Sequence, residues 1–406
     1  MSFAAFRRLM FQVHMWVGLV LGLLLALLGL SGSILVYDDA IAKLLAPMPR
    51  ASAEGQALPL DKIVEAARGA AGAGAMQIAL AREPGDPVSV RVTRPRESAG
   101  RGEGRSERRP ADGGRAGQGG AQGGPPAPQA ATQVFVDLVS GTVLGARKAQ
   151  LPPILAFSHQ LHGNFLMGRE GRQFVGWLGV AMLALGVTGL VLWWPKRGQW
   201  KYAFFVRRTA KGLRFHRELH AATGIWIFVV FMIVSFSGVV IAFPNTFGLA
   251  GGGQAGGGKS GGGVTFNLRE GPEIAPLVGA TAIGADRALA MAHSAMPDAE
   301  PTSLSLPVRP DRTIMVNMLA HGAVGATVYI DPWRAQVVAK RDPSQNFLAW
   351  QRPLHQGSGL GTIWKALVFL SGLVPALFVI TGVIMWVKKR QRRLPMTATL
   401  AEEAVG

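Results

Sequence analysis

His14-Met15-Trp16-Val17-Gly18, running on to Leu30-Ser31-Gly32, and His220-Ala221-Ala222-Thr223-Gly224, running on to Phe236-Ser237-Gly238, decide the fold of this chain. In both stretches a histidine opens an apolar run, with a glycine four residues on and Ser-Gly at identical offsets. A second pair matches as closely. His162 leads after 27 residues to Gly189, preceded by Thr188 and followed by Trp193; His355 leads after 27 to Gly382, preceded by Thr381 and followed by Trp386. The sequence therefore reads as a tandem duplication, each copy carrying one histidine at each of two places. Repeats related by an axis along a membrane normal put equivalent residues at equal depth. Two histidines facing at one depth, and two at another, are the ligand set of two bis-histidine haems.

Four apolar runs are long enough to cross a bilayer, which takes about 20 residues: Met15–Tyr37, Phe174–Trp194, Ala221–Phe243 and Ile363–Val387. The mean hydropathy of +0.25 over 406 residues reflects their weight. The apolar core of the first, Trp16 to Val36, is longer than a signal-peptide h-region and lacks a nearby small-x-small cleavage site, so it reads as an uncleaved anchor. The expected fold is an α-helical membrane protein: a four-span bundle with two outer α+β domains.

The net charge of +18 would suit a nucleic-acid partner, but its distribution points elsewhere. Arg7 and Arg8 precede the first span, and Lys388, Lys389, Arg390, Arg392 and Arg393 follow the fourth. Lys196, Arg197, Lys201, Arg207, Arg208, Lys211, Arg214 and Arg217 fill the short loop between the second and third. All fall on one side of a four-span topology. The positive-inside rule makes that side cytoplasmic, in a bacterial inner membrane, with both termini inside and two long loops in the periplasm. The lipid bilayer, not nucleic acid, is the expected partner. Cysteine is absent, which excludes disulfides, iron–sulfur clusters, thiolate zinc and covalent haem attachment. Any haem would be b-type and non-covalent.

The organisation follows: 1–37 for the cytoplasmic N-terminus and first span, 38–173 for the first outer domain, 174–194 for the second span and 195–220 for the basic loop. Then come 221–243 for the third span, 244–362 for the second outer domain, 363–387 for the fourth span and 388–406 for the tail. Leu60–Ala71 and Ile283–Ala295 read as helices and Val88–Val92 as a strand. Val134-Phe135-Val136-Asp137 with Gly141–Leu144, and Val328-Tyr329-Ile330-Asp331 with Ala335–Val338, read as matching hairpins. Segments 94–128, with seven Lys/Arg, and 248–263, nearly all glycine, have the composition of disordered insertions.

The candidate cofactor ligands are His14 with His220, near the cytoplasmic face, and His162 with His355, near the periplasmic face. His159 and His216 are secondary candidates, as ligands, as partners of ligands or as propionate contacts. Repeat symmetry favours their neighbours, because Arg352 stands at the place of His159 and Met10 at that of His216. A zinc site on His-x-x-His or His-x-x-x-His lacks a carboxylate or cysteine to complete it. Arg169 and Arg172 are candidates to pair with haem propionates or an anionic substrate, a solvated loop being the alternative. His293 and His321 have no repeat counterpart and read as surface residues. Gly18, Gly22, Gly189, Gly224 and Gly382 suit either close approach of a flat macrocycle or plain helix packing.

Four His-led spans, two V-[FY]-[VI]-D hairpins, His159-Gln160-Leu161-His162-Gly163 and Arg217-Glu218-Leu219-His220 together resemble the PepSY-associated transmembrane family over nearly the whole chain. The resemblance implies two periplasmic PepSY-like domains and an oxidoreductase of the ferric-siderophore reductase type. It implies a ferric siderophore as substrate; the electron donor, a quinol or a cytoplasmic reductase, is not named by the sequence. Some relatives carry a flavin and nicotinamide domain; here no G-x-G-x-x-G opens a helix after a strand. Two other readings stay open: a non-enzymatic module that binds peptides or regulates proteases, and an electron-transfer subunit for a separate periplasmic reductase. The first predicts no haem. The second predicts the same haems without intrinsic activity on iron chelates.

Overall fold

Long apolar sequence becomes long helix, because a chain in lipid must satisfy its own backbone groups. In the computed structural model, which describes residues 2–93, 131–244, 246–247, 266–267 and 271–391, four helices are long and apolar enough to cross a membrane. They are α1 (Phe3–Val36), α5 (Gly168–Trp193), α7 (Gly212–Ala242) and α10 (Gly361–Gln391). Each overlaps one of the four apolar runs, and α1 starts well before its run because Ser2 caps it, accepting a hydrogen bond from Ala5 N at 3.3 Å. The helices pack in a closed ring, α1 on α5, α5 on α7, α7 on α10 and α10 on α1. At the α1–α10 seam Gly29 faces the backbone of Gly372, and Ser33 Oγ donates to Phe369 O at 2.8 Å, a small-residue contact typical of membrane helices. Leu23 and Val229 point outward at 66% and 65% exposure, as lipid-facing apolar side chains would.

Short helices sit between spans and sheet or in the basic loop: α2 (Asp38–Leu45), α4 (Pro153–Asn164), α6 (Trp200–Ala203) and α9 (Gln351–Gln356). Helix α4 packs on α1 and α5, and α9 packs on α7.

The sequence reads each outer segment as a small α+β domain; the structure joins the strands of the two in one sheet. Each contributes a helix followed by four strands. The first gives α3 (Leu60–Ala71), β1 (Ala75–Ala79), β2 (Val88–Thr93), β3 (Ala131–Val136) and β4 (Val143–Lys148). After a two-residue pair, β5 (Phe266–Asn267) and β6 (Gly271–Pro272), the second gives α8 (Ala285–Ala295), β7 (Ala299–Leu306), β8 (Ile314–Ala320), β9 (Val324–Asp331) and β10 (Gln336–Arg341). The eight long strands run in the order β10-β9-β8-β7-β1-β2-β3-β4. The halves meet where β1 pairs antiparallel with β7, Met76 opposite Leu306 and Ala79 opposite Ser303. Neither half is left with β1 or β7 as an open edge, a standing liability for a small sheet.

One core serves both halves. Strand β8 alternates buried and half-buried residues, so Ile314, Val316 and Met318 face inward with Ile78, Val90, Val134 and Val328. Ile63 and Ala67 of α3 and Ala288 and Ala292 of α8 cover them. The two helices cap each other: Asp61 Oδ1 accepts from Ala285 N at 2.6 Å, while Asp286 accepts from Leu60 N at 2.8 Å and Asp61 N at 2.9 Å. The paired hairpin motifs also share a mechanism. Asp137 Oδ1 accepts from Val139 N and Ser140 N, and Asp331 Oδ1 from Trp333 N and Arg334 N, so each aspartate closes its own turn. The segments 94–128 and 248–263 lie outside the described residues.

Candidate functional site

The four predicted histidines meet in two pairs. His14 on α1 faces His220 on α7 with ring centroids 6.1 Å apart and planes at 76°. His162 on α4 faces His355 on α9, centroids 5.8 Å apart and Nε2 atoms 3.5 Å apart. The second pair sits on short helices rather than on the spans themselves. Phe165 and Leu166, both at positive φ, turn the chain from α4 into α5.

The hydrogen bonds fix which ring nitrogen carries the proton. His14 Nδ1 lies 2.9 Å from Thr188 Oγ1, and His220 Nδ1 lies 2.7 Å from Thr381 Oγ1. Each threonine spends its own hydrogen on its helix, Thr188 on Ala184 O at 2.7 Å and Thr381 on Leu377 O at 2.8 Å. The hydroxyl oxygens are therefore acceptors, and both Nδ1 atoms donate. His162 Nδ1 donates to Leu28 O and His355 Nδ1 to Val234 O, both at 2.9 Å, since a carbonyl can only accept. In the neutral ring all four Nε2 atoms then keep a bare lone pair. This is the way a ligating imidazole is normally held, its second nitrogen anchored by the protein.

The His162–His355 contact follows from this. Two Nε2 lone pairs at 3.5 Å repel, and no proton stands between them if both Nδ1 positions are protonated. Burial lowers the pKa of His162, and it lowers that of His355 to about 4, with the neighbouring His162 imidazole adding to the shift. Both rings are therefore neutral at pH 7. A Lewis acid between them would relieve such a pair, since two metal–imidazole bonds of about 2 Å each need about 4 Å, close to the observed gap. Among the described residues no cluster of three His, Cys, Asp or Glu side chains is formed, so each site offers a pair of imidazoles as its donors.

Spacing along the helices repeats as well. The carbonyl that holds His162 lies fourteen residues beyond His14 on α1, and the one that holds His355 lies fourteen beyond His220 on α7. At 1.5 Å per residue the two levels are about 21 Å apart. Close approach explains the repeated Ser-Gly. A Cβ on Gly32 would lie 2.7 Å from His162 Cε1, and one on Gly238 would lie 2.9 Å from His355 Cε1. Ser237 Oγ stands 3.2 Å from His355 Nδ1.

Around the first pair the ring of helices opens a cavity of about 1280 Å³, larger than the usual small-molecule pocket of about 300–1,000 Å³. Leu25, Phe231, Pro375 and Val379 form apolar walls, and Gly18, Gly22, Gly189, Gly224 and Gly382 all line it. Gly22 and Gly224 also pack against the side chains of Val379 and Phe378. Flat apolar walls, two opposed imidazoles and no carboxylate in the lining fit a haem.

The remaining candidates stand apart. His159 Nε2 is 3.7 Å from Asp38 Oδ2 and nearly half exposed. His216 packs edge-on against Phe215. Arg172 donates to Ile241 O at 2.7 Å, at the end of α7. Arg169 lies within α5, and its side chain falls outside the described residues. His293 and His321 are exposed on the sheet body. Sequence reasoning found Thr188 and Thr381 as repeat markers without their role. It missed the two carbonyl anchors, which leave no side-chain signature. It named Glu218 only within the Arg217–His220 motif and missed its role: a buried carboxylate that accepts from Arg207 Nε at 2.9 Å and Arg214 Nε at 2.9 Å and so folds the basic loop onto α7.

Residues 11–389 match the family described as PepSY-associated TM region. Among curated proteins none matches this chain.

Proposed function

The chain belongs to the PepSY-associated TM family, and we propose that it is an inner-membrane electron-transfer protein that binds two b-type haems and reduces ferric siderophore iron in the periplasm. The observation that carries this reading is the lone-pair geometry: four anchored imidazoles, opposed in two pairs about 21 Å apart along the helices. His14 and His220 would hold one haem, His162 and His355 the other. When bound, haem supplies one-electron chemistry, its iron cycling between ferric and ferrous. The four histidines would hold both haems through the protein, so substrate would not need to reach either iron. Thr188, Thr381 and the carbonyls of Leu28 and Val234 hold the ligand nitrogens in register. The apolar walls exclude water.

Matching offsets, matching element order and matching anchors support descent by tandem duplication. The basic short segments support cytoplasmic termini and a periplasmic sheet body. Electrons would come from a quinol or a cytoplasmic reductase. The ferric siderophore is favoured as acceptor because the family resemblance suggests it and because α4 and α9, which carry His162 and His355, sit at the sheet-bearing end. A peptide-binding module has no use for two opposed bare imidazoles, which places that reading second.

A pyridine haemochrome assay on purified protein should give close to two haems per chain, with reduced-minus-oxidised bands of low-spin b-type haem. Dithionite-reduced protein, freed of reductant, should be reoxidised anaerobically by ferric siderophores, with a ferrous-specific dye trapping the product. A colourless protein from haem-replete cells removes the reading. Haems that stay reduced with every siderophore, yet reoxidise with a co-purified partner, make it an electron-transfer subunit instead.

A further inference from the structure

Six cations, Arg7, Arg8, Lys211, Arg214, Arg217 and Lys389, line the mouth of the cavity around His14 and His220, and no carboxylate lines it with them. Three of the six are engaged. Arg214 pairs with Glu218 at 2.9 Å, Arg7 Nη2 donates to Leu192 O at 2.7 Å, and Lys389 Nζ sits 5.0 Å over the Phe11 ring. Arg8, Lys211 and Arg217 meet no carboxylate among the described residues and are solvent-exposed. They come from two different helices and the residue that precedes one of them, so they surround the opening rather than extend along one helix face. The cavity is polarised as a result: apolar walls within the bundle, unneutralised positive charge at its opening.

We propose that this rim is a carboxylate-binding subsite that fixes the orientation of the bound macrocycle, its two carboxylate-bearing arms toward the basic end, with Arg8 and Arg217 as the principal contacts. This inference rests on the haem reading of the same cavity. An amphiphile with a flat apolar body and a doubly anionic edge complements both zones at once. The opposite orientation would put two carboxylates against Leu25, Phe231 and Pro375, where a charge without a partner is costly. Arginine is suited to this because its planar fork meets a carboxylate with two parallel hydrogen bonds. The positive rim also disfavours the more positive ferric state, so it holds this site's potential up.

The test compares haem with its dimethyl ester, which lacks the two charges. The protein is stripped of haem in detergent and titrated with each form, and release is followed to a haem scavenger. The His162→Ala background restricts binding to the inner site. The diacid should bind at least about tenfold more tightly than the ester, roughly the worth of one or two charge-assisted hydrogen bonds. In Arg8→Gln/Arg217→Gln the preference should collapse, and the midpoint potential of the inner site should fall. Arg8→Lys/Arg217→Lys should restore much of both, which separates charge from folding; Lys211→Gln alone should give a partial loss. Equal binding of diacid and ester in the unmodified rim overturns the inference and leaves the haem reading intact. So does a preference that survives in the double variant. If instead phosphatidylglycerol, but not phosphatidylcholine, stabilises the unmodified rim and the ester binds normally, the rim holds a lipid phosphate. If neither form gives the sharp α band of low-spin haem on reduction, the haem reading itself falls.

Discussion

His162 and His355 meet Nε2 to Nε2 at 3.5 Å, each with its Nδ1 proton committed to a backbone carbonyl of a different spanning helix. With both Nδ1 protons so committed, the neutral contact has no hydrogen bond of its own, and the haem proposed between the two rings would relieve it. Replacing either histidine by alanine should therefore remove one haem of the two, and His14→Ala or His220→Ala should remove the other. His159→Ala and His216→Ala should leave both, because those rings lie with Asp38 and Phe215 instead. Haem content with low-temperature spectra of each variant decides the assignment; loss of a haem in His159→Ala would reassign the ligand.

Gly32 and Gly238 should prove as sensitive as the histidines they face. A methyl group at either lands within 3 Å of an imidazole carbon, and the ring is already held from behind by a carbonyl. Gly32→Val and Gly238→Val should each cost the outer haem while the inner one stays. The reverse pattern, or no loss, would show that the rings are free to retreat.

Thr188→Val and Thr381→Val keep shape but remove the acceptor for Nδ1. Losses of about 10–100-fold in affinity are usual when the outer partner of a ligating histidine is removed. The inner haem should be retained at synthesis, yet lost faster to a scavenger, with the outer haem unaffected. Equal release rates in variant and parent would mean that the threonines merely pack.

Much of the bundle was legible in the sequence, for a physical reason. Spans are written in hydropathy, and histidines repeated at equal offsets along matching spans come to face one another. Helix α3 was read at its observed ends, and β2 differed by one residue, since period and turn residues mark both. The single sheet was not legible. Strand β1, Ala75-Met76-Gln77-Ile78-Ala79, is short and weakly β-branched, and its pairing with β7 joins residues more than two hundred positions apart. Nothing local records such a contact. Asp61 and Asp286 are first-turn acids of their own helices, and that each caps the other's helix follows only from the joined halves.

That cross-capping makes the junction between halves testable. Asp61→Ala removes the acceptor for Ala285 N, and Asp286→Ala removes it for Leu60 N and Asp61 N. An N-cap is worth about 1 kcal/mol. The two substitutions should each destabilise the sheet body by roughly that amount and combine less than additively, since the partners share one junction. Amide exchange should accelerate in both α3 and α8 for either single variant. Acceleration confined to the helix that loses its cap would show the halves to be independent.

The sheet body should weaken in acid through Asp137. This carboxylate is buried and accepts from Ser52 Oγ at 2.7 Å and Ser52 N at 2.9 Å, as well as from Val139 N and Ser140 N. The Ser52 hydroxyl bond, supported by the backbone donors and opposed by burial, holds its pKa well below the usual carboxylate range. A group whose folded pKa is depressed adds stability that is complete above its unfolded pKa and is lost as pH falls toward the folded value. The contribution should therefore be flat above about pH 5 and decline below about pH 4, the region of an unperturbed aspartate. Asp137→Asn keeps one acceptor oxygen and cannot titrate. It should lower stability at pH 7 by roughly 1–3 kcal/mol, the cost of weakening charge-assisted bonds to buried donors, and should flatten the acid limb. Thermal melts of the sheet body in detergent at pH 3, 4, 5 and 7 would read both effects; an acid limb as steep in Asp137→Asn as in the parent would assign the loss to other carboxylates.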